Sequence, residues 1–275
     1  MSLIASLIAG NDGMRPWRLL RAALCVLVAV YLLSPLVVVV IISFSSAPFL
    51  QFPPPGFSLR WYTLLFSTPA WMNSLLVSVE LLVPSSILAT IMGTAAAYAL
   101  VRGRVPGAPF VMACLMLPIV VPGMITAAAL FGVYRGLGLN GTLTGLIIGH
   151  TVLNLPYVVA TVASALRVQD ARLELAAATL GAPPWATFRR ITLPLVLPAV
   201  LSSLLVAMIL SFDELIVSLF VSSARVRPVA VQMWSNLMGD FDPTIAAIAS
   251  VCFLFALLVL LADLALRAGR SLRSI

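Results

Sequence analysis

The sequence predicts an all-α polytopic membrane protein, and three observations carry that expectation. Hydrophobic residues make up 62% of the 275-residue chain and charged residues only 9%, against about 25% charged in an ordinary water-soluble domain. The apolar residues gather into six runs, each clearing the roughly 20 residues that a helix needs to cross hydrocarbon. The stretches between runs are rich in Arg, Pro and Gly. Backbone in lipid must satisfy its own hydrogen bonds, so runs of this length read as helices.

The first run, roughly 22–43, follows a cytoplasmic segment over 1–18 that carries Arg15 and Arg18, with Arg21 at its edge. The apolar stretch Ser2–Ala9 is too brief to span and suits at most an interfacial helix. The run itself is longer than a signal-peptide core and lacks an A-x-A exit, so it reads as an uncleaved span. Residues 44–72 carry Pro53-Pro54-Pro55-Gly56 and the aromatics Trp61, Tyr62 and Trp71, which suits an interfacial loop, because Trp and Tyr favour the headgroup layer. The second run covers roughly 74–101 and ends in the turn Arg102-Gly103-Arg104. The third, roughly 109–133, contains Pro118, Pro122 and Gly123, which break a helix. A glycine-rich turn precedes the fourth run, roughly 142–165, itself interrupted by His150, Asn154 and Pro156. The fifth runs roughly 195–221 and the sixth roughly 244–266, within a transmembrane domain of 19–266; the tail 267–275 closes the chain.

Composition excludes several chemistries. All sixteen basic residues are Arg, so there is neither a P-loop lysine nor a Schiff-base lysine. One histidine, His150, cannot make a zinc cluster. Cys25, Cys114 and Cys252 each lie in apolar runs and read as small buried hydrophobes, without a metal or redox role. The net charge of +7 reports orientation and not nucleic-acid binding. Six spans put both termini on one side. That side holds twelve arginines (15, 18, 21, 102, 104, 167, 172, 189, 190, 267, 270, 273) and the other four (60, 135, 225, 227). The excess places the termini and the loop over 166–194 in the cytoplasm.

That loop carries ELAAATLGAPPWATFRRITLP from Glu174 to Pro194. Ala176, Ala177 and Ala178 are strong helix formers, Gly181 suits a helix stop, and Pro184 can open a second helix. Small residues on a helix outside the bundle let another protein approach closely, so the loop is expected to be a docking surface.

Ala176-Ala177, Gly181 and Ile191-Thr192-Leu193-Pro194, placed between the fourth and fifth spans, resemble the loop of type I ABC importer permeases. The resemblance implies coupling helices that seat in a groove of an ATPase subunit, with Glu174, Leu175, Ala176, Ala177, Gly181, Arg189 and Arg190 as coupling residues. The family usually has Glu six residues before the glycine. Leu175 stands there and Glu174 is one earlier, a rotation of about 100° round a helix. Ser211–Val221, Pro228–Trp234 and Asp242–Ile248 further resemble the second permease subunit of spermidine/putrescine importers. The resemblance implies no cofactor in this chain, with ATP and Mg bound by two partner ATPase subunits. It also implies a second homologous permease forming a heterodimer, a periplasmic binding protein and residence in a bacterial inner membrane. Permeases for aminoethylphosphonate or opines look alike, so the substrate stays open between a polyamine and another small solute.

Charges inside the bilayer are costly and usually face a cavity or a partner. Glu80, Asp213 or Glu214, Pro122, His150 and Asn154 are therefore expected along the substrate pathway, against the alternative of structural bonds and packing kinks. Asp263 suits a solvated or Arg-paired helix end. A self-sufficient ion-coupled carrier is the competing class; such carriers commonly show inverted repeats, and no clear repeat relates 1–137 to 138–275.

Overall fold

The computed structural model describes residues 15–103, 105–239, 242–254 and 257. The expectations for residues 1–14, Arg104, Asp263, the end of the sixth run and the tail 267–275 lie outside the described residues. Those described are almost entirely helical, with an isolated antiparallel bridge between Ser45 and Phe57.

In chain order the helices are α1 (Arg15–Ser43), α2 (Arg60–Ser67), α3 (Pro69–Arg102), α4 (Ala108–Val120), α5 (Gly123–Leu137) and α6 (Leu143–Val168). They continue as α7 (Arg172–Thr179), α8 (Pro184–Thr187), a π-helical turn (Phe188–Thr192), α9 (Leu193–Asp213), α10 (Ile216–Val221), α11 (Val229–Met238) and α12 (Thr244–Leu254). Among the described residues four helical stretches are long and apolar enough to cross a membrane: Leu19–Ser43, Pro69–Arg102, Leu143–Val168 and Pro184–Asp213. The pair α4 and α5 makes a fifth if its two arms count as one span; they meet at a bend of 103°.

That bend has a local cause. Val121 is extended (φ −75°, ψ 129°) and Pro122 follows it; a residue before proline is driven out of the helical region, and proline cannot donate to the helix ladder. The fifth run breaks too. Glu214 is extended (φ −72°, ψ 106°), so α9 ends at Asp213 and a separate short helix, α10, covers the rest of the run.

The described residues fall into two compact units, one within 69–235 and the other made of those within 15–68 and 236–257. In the first, Ala89, Ala97, Val158, Val159, Val162, Ala163, Leu166, Val196 and Ala207 form a core that joins α3, α6 and α9. Small residues set its spacing. A Cβ on Gly93 would lie 2.6 Å from Val158 Cγ1, so α3 and α6 pack at a distance only glycine permits. A second cluster of Leu81, Ala127, Tyr134, Leu146, Val217 and Val221 draws α5 and α10, the two arms beyond the breaks, onto α3 and α6. The Gly141 N–H donates to Val221 O at 2.7 Å and Ser223 Oγ to Gly141 O at 3.0 Å, tying the end of α10 to the turn before α6.

The stretch 44–72, expected as an aromatic interfacial loop, crosses from the second unit into the first and is only partly loop. Residues 44–59 are non-helical, but Arg60–Ser67 form the helix α2, and Trp61 is buried with its indole N–H donating to Ser45 O at 2.8 Å. Tyr62 Oη lies 2.7 Å from Ser43 Oγ. Trp71, at the start of α3, is also buried. Trp61 thus bonds to backbone and Tyr62 to a serine hydroxyl. The cysteines need a correction as well: Cys25 and Cys114 are exposed on the chain and Cys252 is half-buried. In a lipid-embedded protein an apolar side chain is as well placed facing lipid as facing the core.

Candidate functional site

The loop between α6 and α9 is a folded elbow. Asp170 Oδ1 accepts the Arg172 N–H at 2.9 Å at the entry to α7. The exit is a Schellman closure: the Ala182 N–H donates to Ala177 O and the Gly181 N–H to Ala178 O, both at 3.0 Å. Gly181 sits at φ +80°, a conformation that L side chains rarely adopt. Nothing lies within 4 Å of where its Cβ would be, so the glycine serves the backbone turn and leaves open space beside it. Pro184 then opens α8 at a position where its missing N–H costs nothing.

The chain next passes through the π-helical turn, where the Leu193 N–H reaches back to Phe188 O. Pro194 explains the shift: it has no N–H to offer Arg190, and its ring crowds that carbonyl, so the ladder re-registers by one residue. Trp185 stacks on Phe188 (5.7 Å between centroids), and Phe188 meets the edge of Tyr98 on α3 at 4.9 Å.

Glu174 points into the chain. Its Oε1 accepts from Arg102 Nε at 3.1 Å and from Thr192 Oγ1 at 2.9 Å, while Arg102 Nη2 donates to Gln169 O at 3.0 Å. One carboxylate thus joins the end of α3, the helix α7 and the π-helical turn. Leu175, one residue on, points outward with 65% of its surface exposed. The alanine pair is split: Ala176 is exposed, whereas Ala177 is the buried residue of α7. Helical rotation turns Ala177 into the elbow and leaves Ala176 on its outer face. Arg189 and Arg190 are exposed. The sequence reading passed over two large exposed apolar side chains of the elbow, Leu180 at 88% and Trp185 at 69%. Their signal is that of large apolar residues in a stretch otherwise of Ala, Gly, Thr and Pro.

A second feature lies where the two helix breaks meet α6. A cavity of about 180 Å³ is lined by Pro118, His150, Asn154, Tyr157, Ser211 and Glu214, with Leu153 and Leu210. His150 is 1% exposed; its Nδ1 lies 2.8 Å from Ser211 Oγ and its Nε2 3.0 Å from Ser218 Oγ. Ser211 Oγ in turn lies 3.1 Å from Ser85 Oγ, so a polar chain crosses from α3 through α9 and α6 to α10. Glu214 Oε1 accepts the Val217 N–H and Oε2 the Ser218 N–H, each at 3.0 Å, capping α10. Asn154 Nδ2 donates to Ala207 O at 3.2 Å.

The structure therefore gathers His150, Asn154 and Glu214 from the expected pathway residues. It leaves Glu80, Asp213 and Pro122 off the cavity wall, all three exposed. Tyr157, Ser211 and Ser218 were not singled out by the sequence reading, because an isolated Ser or Tyr in an apolar run gives no sign of which helix it will face. Among the described residues no group of three or more His, Cys, Asp or Glu could hold a metal ion.

Comparison with known proteins agrees with this architecture. Residues 85–268 match the family described as binding-protein-dependent transport system inner membrane component. The chain is 31% identical over 246 residues to the spermidine/putrescine transport system permease protein PotC of Escherichia coli K12, covering 90% of this chain and 93% of that one. It is 32% identical over 244 residues to the putrescine transport system permease protein PotI of the same organism, covering 86% and 85%. Among solved structures, a bacterial ABC transporter involved in the import of the acidic polysaccharide alginate superposes with a TM-score of 0.74 at 18% identity, covering 94% of this chain and 98% of that one, which shows the shared fold. The chain belongs to the inner-membrane permease family of binding-protein-dependent ABC transport systems.

Proposed function

We propose that this chain is one of two homologous permease subunits lining the pathway of an ATP-driven importer, and that its cargo is a small organic cation of the polyamine type, such as putrescine or spermidine. The observation that carries the reading is the match along nine-tenths of the chain to a spermidine/putrescine permease. The elbow supports it: a rigid, apolar outer face of Leu175, Leu180 and Trp185 stands where a cytoplasmic partner can seat. Two separate ATPase subunits hold ATP and Mg and hydrolyse the nucleotide. A periplasmic binding protein delivers the cargo, and both chain termini are cytoplasmic, in keeping with the arginine excess on that side. Closure of the ATPase pair moves the elbow. The elbow passes that movement to α3 through the Arg102–Glu174 ion pair and the Trp185–Phe188–Tyr98 contacts, and directly into α9.

Reconstitution tests the reading. The chain is expressed with the permease, ATPase and binding protein encoded beside it, in cells lacking polyamine uptake. Copurification of the ATPase and ATP-dependent accumulation of radiolabelled putrescine or spermidine are expected. Assembly with uptake of neither amine overturns the cargo, and failure to retain any ATPase overturns the importer.

A further inference from the structure

Between α1 and α2 the chain turns phenylalanines outward. The Ser46 N–H donates to Gly56 O at 3.0 Å and the Ser58 N–H to Phe44 O at 2.7 Å, closing a hairpin with residues 47–55 as its tip. The neck is tight at Gly56, where a Cβ would lie 2.9 Å from Ser46 Oγ. α2 clamps it: the Trp61 indole N–H is bonded to Ser45 O and Arg60 Nη1 donates to Ser46 O at 3.2 Å. Ser43, Ser45, Ala47, Trp61 and Leu65 are buried. Phe49, Phe52, Phe57, Leu59 and Phe66 are each more than half exposed, Phe57 at 76%.

We propose that this aromatic face is a membrane anchor: Phe49, Phe52 and Phe57 sink into the acyl edge of the outward leaflet, and Arg60 meets the phosphates of its phospholipids. The anchor is independent of which cargo the importer carries.

An exposed apolar patch marks either a protein partner or a membrane. Continuity and charge select the membrane. The crossing stretch Leu19–Ser43 has 25 residues, about 37 Å of helix against roughly 30 Å of hydrocarbon, so Ser43 emerges among the headgroups and the hairpin begins there. α1 is apolar and exposed from Leu19 to Val37, a surface for lipid that the hairpin continues. From 44 to 68 Arg60 is the single charged residue, where a water-facing stretch of that length would carry about six.

The side chains also sort by depth. Trp and Tyr have a polar handle that holds them at the headgroups, and Phe has none. Here the handles of Trp61 and Tyr62 are engaged by Ser45 and Ser43, and the rings left facing out are Phe, which suits the acyl side of the boundary. The neck bonds its own backbone, and Pro48, Pro53, Pro54 and Pro55 have no N–H to satisfy, which lowers the cost of leaving water. Arg60 lies 4.2 Å over the Trp61 ring and gives one N–H to Ser46 O; its other donors are left for phosphate oxygens.

The test uses the unmodified, assembled importer in nanodiscs of phosphatidylethanolamine and phosphatidylglycerol, doped with a phospholipid carrying a diazirine high on one acyl chain. After illumination, lipid adducts mapped by fragment-ion mass spectrometry are expected within 49–57 as well as along α1. Adducts along α1 with none on 49–57 overturn the anchor.

A second arm separates lipid from a protein cover. With Cys25, Cys114 and Cys252 replaced by Ala, a nitroxide is attached at Phe52→Cys, at Phe57→Cys and, for comparison, at Ala224→Cys in the exposed turn before α11. The ratio of oxygen to nickel-chelate collisions is expected to be at least threefold higher at both hairpin positions than at Ala224→Cys. A ratio equal to that at Ala224→Cys means that the face stands in water, and overturns the anchor. Few collisions with either reagent mean that the second permease or the binding protein covers the face, and overturn it equally.

Discussion

Glu174 and Leu175 show how much one residue of register decides. The sequence places the carboxylate one position before the family's usual glutamate, and a helix turns about 100° per residue. In the structure that rotation carries Glu174 inward onto Arg102 and Thr192 and leaves a leucine facing out. Removing one partner of a hydrogen-bonded group that is largely out of water costs about 1–3 kcal/mol. Glu174→Leu is therefore expected to loosen the elbow by that order, read as faster amide hydrogen exchange across 172–179 in the assembled importer; unchanged exchange would remove the tie. The neighbouring alanine gives a paired prediction. Ala177 is buried and Leu180 exposed, so Ala177→Arg should disorder the elbow and abolish assembly. Leu180→Glu should leave the thermal stability of the permease within about 0.5 kcal/mol, as surface changes usually do, while weakening ATPase retention. Loss of stability in Leu180→Glu would place that side chain in the fold and not on the docking face. That Gly181 ends a helix could be read from its residue type alone; which alanine faces in could not, because both have the same chemistry and only the packing of α7 on the chain separates them.

Whole elements were legible wherever one property dominated. The runs of apolar residues marked α1, α3, α6 and α9, and proline chemistry marked the break between α4 and α5. The break at Glu214 was not legible, since no proline or glycine stands there. The carboxylate caps α10 from outside its first turn, a tertiary choice of where the backbone bends. Close packing of α3 on α6 was also hidden, because a glycine in an apolar run reads the same whether or not another helix touches it. Gly93→Leu forces side-chain atoms into Val158, and overpacking of this kind typically costs about 1–3 kcal/mol. A lower thermal unfolding midpoint in detergent is expected, and an unchanged midpoint would mean the helices can part at that point freely.

For the molecule as a whole, charge sets direction. The proposed orientation rests on a six-span layout, which puts twelve arginines on one side and four on the other, and on the retention of basic residues on the cytoplasmic side. Cysteines introduced at Leu180 and at Ala224, in a background without the native three, should be labelled by a membrane-impermeant maleimide from opposite sides of the membrane, Leu180→Cys only from within; labelling of both from outside would reverse the topology and detach the elbow from any cytoplasmic ATPase. By itself the sequence determined the class of protein, its apolar segments, the elbow and the family. Those follow from composition, run length and local helix chemistry, which act along the chain. Only the tertiary structure decided which side chains meet: Glu174 with Arg102 and Thr192, and His150 with Ser211 and Ser218 beside Glu214. In an apolar run every face of a helix is acceptable to lipid, so hydropathy cannot choose between them, and the choice is left to the fit of neighbouring helices and the partners their few polar groups require.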